Sequence, residues 1–444
     1  MIVQRDSHIE KDIKKDTIIY NEEVDKMDKA GYDIKPAEME STDPLYILYT
    51  SGTTGTPKGI VRDIGGTCVA LNYAMKMVMN TNRGDVYFAT SDIGWVVGHS
   101  FIVYGPLLRG ATTICYEGKP IGTPHCGKFW EMVDKYRVKS LFTSPTALRA
   151  MKKEDADLHV LKSYSLKTLE SIHIAGERCD PDTINWLEKG VEYKIMVNDN
   201  WWQTETGWQI CSNNTLQPFP ILPGSAGKPL PGYDVRIYHQ EDNEEITQPI
   251  TLGNIHIKLP MPPSFMTTLW KNDKAFAEKY ITKDNQFYIT GDAGYFDENG
   301  YLHILTRVDD IINVAGHRLS TGRIEEVLCR VDDIVEAAVV SMNDELKGEL
   351  PFAFVVCKNN VTDYEATKKK ANAQIVEHIG AISKLGGIVV CHRLPKTRSG
   401  KILRVILKKI LNGEAYKVPP TIEDITVLDE VIEELKAHNY LKIE

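Results

Sequence analysis

The 444-residue chain is bounded first by what it lacks. No apolar run approaches the ~18 residues a membrane span requires. The most apolar stretch, GWVVGHSFIVYGPLL, is interrupted by glycines and His99. The eight cysteines (68, 115, 126, 179, 211, 329, 357, 391) are scattered with no CxxC pair. Such scatter in a long chain reads as reduced intracellular thiols, with neither a disulfide framework nor a zinc site. There is no basic block, and a net charge of −9 argues against nucleic acid as the main partner. MIVQRDSHIEKDIKKD has no apolar signal region, and its acidic residues argue against a transit peptide, so no targeting signal is visible. Internal repeats and low-complexity tracts are also missing. What remains is 42% hydrophobic and 25% charged, an ordinary globular composition with room for roughly two or three domains.

One unusual stretch comes early: YTSGTTGTPKG, Tyr49 to Gly59. Glycine lets successive N–H groups turn toward a ligand, hydroxyls of Thr and Ser add donors, and Lys58 adds a point charge. That combination suits a polyphosphate. It is not the Walker pattern, because Lys58 precedes Gly59 and Pro57 interrupts the run. PLYILYT, just ahead, reads as a short apolar strand.

Residues 1–43 are charge-rich and weakly patterned, and are expected to be a loosely packed lead-in. From Leu45 to about Tyr301, short apolar runs alternate with helical patterns such as SPTALRAMKK and CDPDTINWLEKG. In these, Ser144 and Asp180 are N-cap candidates, with Pro145 and Pro181 at the first helical position. The alternation predicts an α/β fold: a large N-terminal domain with mixed or parallel sheets flanked by helices. After Pro220, DVRIYH, NIHIKL and YLHILTR predict a small barrel-like antiparallel sheet. The pattern resets near Asp309–Asp310, where RIEEVLCRV followed by three apolar runs predicts a small α+β C-terminal domain. The expected divisions are 1–43, 44–308 and 309–444.

Three further stretches are unusual: DNWWQTETG (Asp199–Gly207), TGDAGY…LTRVDDIINVAGHR (Thr290–Arg318) and LPKTRSGK (Leu394–Lys401). With YTSGTTGTPKG they resemble, in order and wording, the acyl-adenylate-forming enzymes, and within these the short-chain acyl-CoA synthetases for acetate and propionate. The resemblance runs from about Leu45 to the C-terminus. It implies a two-step ligase: a carboxylate attacks the α-phosphate of ATP, pyrophosphate leaves, and the CoA thiol then displaces AMP. Residues 44–308 would be the AMP-binding domain, and 309–444 a mobile domain carrying a catalytic lysine.

The resemblance also implies roles. Thr50, Ser51, Gly52, Thr53, Thr54, Gly55, Thr56 and Lys58 would wrap the β- and γ-phosphates. Gly176, Glu177 and Arg178, with Asp199, Asn200 and Trp201, would border the adenine and AMP site. Gln203 and Thr204 would lie near the α-phosphate, and Glu205 would help hold Mg²⁺. Asp292 would accept from the ribose hydroxyls, Arg307 would donate to them, and Arg318 would face the phosphates. Lys401 would offset the repulsion between the carboxylate and the α-phosphate. Asp309 would be the hinge, and Ala315, Gly316 and His317 would meet CoA, Gly316 leaving room for the pantetheine arm. Trp95, Val96, Val97, Ala175 and Trp202 would line the acyl pocket, with Trp202 closing its far end. Val97 stands where acetate enzymes commonly carry Thr, and Ala175 where they commonly carry Val, which leans the expectation toward propionate. Taken singly each residue is ordinary; their ordered co-occurrence carries the reading.

Departures are visible too. Similar enzymes have a substantial segment ahead of the Thr/Gly loop, including arginines for the CoA phosphates, so the chain is expected to lack the usual N-terminal part. Val376 stands where a CoA-phosphate Arg is usual, and Trp208 follows TETG where a small residue is usual. Weakened CoA binding is expected. Two alternatives stay open: an adenylating enzyme with another acceptor, and a truncated paralogue that binds nucleotide or pairs with a full-length subunit. The compartment is expected to be intracellular, cytosol or mitochondrial matrix, with small-molecule substrates and an open oligomeric state.

Overall fold

A computed structural model describes the chain except residues 1–17, 51–56, 178, 192–194, 216–217, 240–243, 359–360, 398–399, 420–421 and 442–444. The chain divides into two units, Met1–Asp43 and Pro44–Glu444. In the first, a helix at Tyr20–Ala30 buries none of its residues and ends at Gly31, whose φ of 67° is cheap only for glycine.

The centre of the larger unit is a five-stranded parallel sheet. Its spatial order is Thr112–Ile114, Val86–Ala89, Ser140–Thr143, Ser171–Ile174 and Met196–Asp199. Helices Lys128–Tyr136, Pro145–Glu154 and Pro181–Gly190 make the later crossovers. The expected caps form: Ser144 accepts from the Ala147 N–H (3.2 Å) and Asp180 from the Thr183 N–H (2.8 Å), with proline next in each case. Alternate strand residues enter two cores. Phe88, Leu141, Ile172 and Val197 join Phe129 and Trp130, while Tyr87, Ala89 and Phe142 join Leu71, Met75 and Phe101. Each fully buried aromatic or aliphatic side chain contributes about 1.5–3 kcal/mol. Ligands of open parallel sheets bind beyond the carboxyl ends of the strands. Ser144, Ala175–Glu177 and Asn200–Trp202 lie there.

Two antiparallel sheets accompany it. Pro44–Thr50, Lys58–Asp63 and Thr268–Leu269 form a three-stranded sheet in which Thr50 and Lys58 are cross-strand partners. The small barrel-like sheet expected after Pro220 is a four-stranded antiparallel sheet, ordered Asp234–Tyr238, Gly253–Lys258, Phe287–Phe296, Leu302–Arg307. Register shifts at Asn254/His256 and Ala293/Gly294 bend its middle strands.

A 3₁₀ turn at Val308–Asp310 leads into the last sheet. There Ile334–Asp344 and Gly348–Cys357 pair antiparallel, Gly387–Val390 pairs parallel to the latter, and the hairpin Ile311–Val314/His317–Ser320 sits at the other edge. Helices Thr321–Leu328 and Tyr364–His378 pack one core, while Arg404–Leu411 and Thr426–Ala437 pack the other. The sequence pattern anticipated three of these strands. The hairpin's Ala315–Gly316 turn lacks the usual Asn-Gly signal, although φ values of 50° and 84° give it the positive pair such a turn needs. Among the described residues, no helix is long and apolar enough to cross a membrane.

Candidate active site

Asp292 is the best-connected polar residue of the site. It is 7% exposed and accepts from Trp201 Nε1 (2.9 Å), Gln203 Nε2 (2.7 Å) and Arg307 (2.9 Å). Its partner strand brings Arg307 directly opposite. Arg307 also donates to the Thr290 carbonyl (3.0 Å), and burial is outweighed by the Asp292 charge in raising its pKa. Gly291 has a φ of 70°, and a Cβ there would meet the guanidinium, so glycine admits the arginine.

The WWQTETG segment splits into braces and facing groups. Gln203 uses both ends of its amide internally, donating to Asp292 and the Thr290 carbonyl (2.8 Å) and accepting from Tyr288 Oη (2.5 Å). Its amide thereby braces Asp292 and Tyr288. Asn200 is likewise internal: its amide donates to the Ile174 and Asn198 carbonyls and accepts from Ser212. The Thr204 carbonyl accepts from Arg62, a fully buried cation that also donates to the Ser264 carbonyl. Gly207 has a φ of 76°, and a side chain there would run into the same guanidinium. Glu205 remains half-buried and accepts from Tyr280 Oη (3.1 Å), which in turn lies 3.3 Å from Lys58 Nζ.

At the strand ends, Ala175 is buried, while Gly176 (φ 105°) and Glu177 are exposed. Glu177 accepts from the Thr146 hydroxyl and from Arg149 (3.1 Å), and Asp199 accepts from the Cys179 N–H (3.4 Å). Ala175, Val97 and Trp202 share one hydrophobic cluster. The Trp202 ring meets Phe101 edge-on at 5.3 Å and Phe142 at 6.4 Å. Trp95 and Val96 precede this cluster, half-buried and outside it. Trp208 is absorbed into the core, its indole donating to the Pro263 carbonyl (3.0 Å).

Lys401 arrives from the far end of the chain. Its loop is closed by Thr397 N–H to Lys401 carbonyl (2.8 Å) and Lys401 N–H to Thr397 Oγ1 (3.2 Å) bonds. The side chain stays accessible but in a crowded setting. Surrounding protein, then Arg307, lower its pKa, while Asp310 and Asp292 pull the other way. Nearby, Arg404 grips Glu325 with two 2.8 Å bonds. Asp309 is exposed in the Val308–Asp310 turn. Ala315, Gly316 and His317 are exposed at the hairpin tip, and Arg318 donates to Asn254 (3.3 Å), on the strand beside that of Asp292. Ser51 to Thr56 and Arg178 lie outside the described residues.

Sequence reasoning did not find Arg62, Tyr280 or Tyr288. Arg62 left a trace as a lone cation inside the apolar GIVR run. The tyrosines left none.

Residues 2–268 match the AMP-binding enzyme family and residues 323–401 the AMP-binding enzyme C-terminal domain. The chain is 47% identical over 405 residues to the acyl-CoA synthetase short-chain family member 3, mitochondrial, of Rattus norvegicus, covering 89% of this chain and 58% of that protein. Family member B, mitochondrial, of Dictyostelium discoideum is also 47% identical, covering 89% and 57%. Propionate–CoA ligase of Salmonella typhimurium is 41% identical, covering 90% and 64%. The chain thus spans less than two thirds of the length of these relatives. Among solved structures, acetoacetyl-CoA synthetase from Streptomyces lividans superposes with a TM-score of 0.82 at 21% identity, covering 96% of this chain and 64% of that one. With both family segments matched in order on this fold, the chain belongs to the AMP-binding enzyme family.

Proposed function

We propose that the chain acts as an ATP-dependent short-chain carboxylate–CoA ligase, forming AMP and pyrophosphate through an acyl-adenylate. The carrying observation is a set of charges gathered near the carboxyl edge of the parallel sheet: Arg307 is bonded to Asp292 at 2.9 Å, the Lys401 ammonium is within electrostatic influence of both, and Tyr280 links Glu205 with Lys58. Two anions must approach each other in the first step, and cations held in a partly desolvated groove offset that repulsion. A carboxylate oxygen attacks the α-phosphorus and pyrophosphate leaves; the CoA sulfur then attacks the acyl carbon and AMP leaves.

Asp292 still has lone pairs for ribose hydroxyls after its three protein donors, because a carboxylate accepts about four. Lys401 would steady the incoming carboxylate and the α-phosphate oxygen, and Lys58 with the Thr/Gly loop the departing diphosphate. Among the described residues, no group of three or more His, Cys, Asp or Glu could hold a metal ion. A lone Glu205 nevertheless fits Mg²⁺ that arrives on the phosphates, since that ion takes one or two carboxylates plus phosphate oxygens. Bound there, the ion would neutralise charge on the diphosphate. The Val97–Ala175–Trp202 wall favours propionate over acetate, an indole limiting longer chains. A turn about Asp309 would exchange Lys401 for the Ala315–His317 tip in the second step. The mitochondrial names of the rat and Dictyostelium relatives support a mitochondrial location over a cytosolic one.

The test is direct. Purified chain with ATP, Mg²⁺ and propionate should release pyrophosphate without CoA, and should yield AMP and propionyl-CoA once CoA is added. Absence of pyrophosphate release removes the reading; release with no thioester leaves an adenylating enzyme that uses another acceptor.

A further inference from the structure

Between Lys58 and Glu205 stands a hydroxyl that no motif supplies. Tyr280 ends the helix Asp273–Tyr280 and is the residue of that helix buried in the core. Its Oη donates to Glu205 Oε1 at 3.1 Å and accepts from Lys58 Nζ at 3.3 Å, while the same ammonium sits 4.9 Å from the ring centroid. The ring is fixed by stacking on Tyr288 (6.2 Å, 10°) and Phe276 (6.4 Å, 28°). Tyr288 in turn holds Gln203. Two stacked tyrosines thus hold two residues of the QTE run.

We propose that Tyr280 is a positioning residue that keeps the Lys58 cation and the Glu205 carboxylate apart and separately available to a magnesium-bound diphosphate. This rests on the ligase reading above and deepens it at the diphosphate end. A phenol has one proton and spare lone pairs. Here the proton goes to the carboxylate and a lone pair takes one ammonium proton. Lys58 keeps two protons for phosphate oxygens, and Glu205 keeps its second oxygen for a metal ion. Without the hydroxyl, the two opposite charges would close on each other and the diphosphate would have to break that pair first.

Tyr280→Phe keeps the ring, the stack and the cation–ring contact and removes only the oxygen. Calorimetric titration of the 444-residue chain should show magnesium pyrophosphate binding about tenfold weaker in this variant, the loss of one hydrogen bond to a charged group. AMP, which has no β-phosphate, should bind within about twofold of wild type, and KM for ATP should rise while kcat for adenylation holds. In a Glu205→Gln background the same change should shrink to about twofold or less, because the charge it separates is gone. Unaltered pyrophosphate binding in Tyr280→Phe, or equal losses for AMP and pyrophosphate, overturns the proposal and leaves the ligase reading standing. Wild-type chain that binds neither ligand overturns both.

Discussion

Arg307 and Lys401, the two cations whose charges are felt at Asp292, are held in opposite ways. Arg307 lies across a strand pair from Asp292, bonded to its carboxylate and to the Thr290 carbonyl. Lys401 sits on a short loop closed by bonds between its own backbone and Thr397, beside a separate sheet and core. The first cation is fixed by the sheet; the second is held by no side-chain bond to that sheet among the described residues. Under the proposed two-step reaction, Arg307 would serve both half-reactions and Lys401 only the first.

Lys401→Ala should break the comparison most sharply. Adenylate formation should fall about 10²–10³-fold, the scale of losing one electrostatic stabiliser, while thioester formation from supplied acyl-adenylate is spared. Equal losses in rapid-quench assays of the two halves would remove the assigned division. Asp292→Ala should act on the fixed cation instead. It strips a partner from Arg307, Trp201 and Gln203 together, so a urea midpoint should report about 3 kcal/mol lost, with nucleotide affinity falling alongside. The same change should leave the last sheet, 311–390, protected in hydrogen exchange.

The pH profile sharpens the contrast. Because the crowding protein around it, and then Arg307, lower the Lys401 pKa, its ammonium is lost below the ordinary lysine value of about 10.4. Adenylation should therefore decline on the alkaline side before pH 10.4, a limb the thioester step should lack. The stability contribution runs the other way. The penalty of charging Lys401 in the folded state is present below its folded pKa and relieved as pH rises toward the unfolded one, so stability from this group grows where activity falls. The smallest effect belongs to the acyl wall. Ala175→Val should shift kcat/KM several-fold from propionate toward acetate, about one methylene's worth.

Much of this was legible early. Periodicity, N-caps and prolines located the crossover helices around Ser144 and Asp180, because those signals act over three or four residues. The order of four polar motifs pointed to Asp292, Arg307, Glu205 and Lys401. Individual duties within a motif were less readable. Gln203 and Asn200 stand among facing residues in the sequence, but their amides are spent inside the protein. Likewise Trp208, out of keeping with a small residue after TETG, is simply core, packed edge-on against Tyr73 at 5.6 Å.

By itself the amino-acid order determined the class of architecture, the family and the set of chemical groups available, since each depends on local propensity or on short runs of donors and charges. Which of those groups stay free was decided only when the chain closed on itself. Tyr280 lies 75 positions from Glu205 and 222 from Lys58, and Arg62 lies 142 from Thr204. A hydrogen bond depends on ångströms between atoms, and distance along a chain says almost nothing about that until the sheets are assembled.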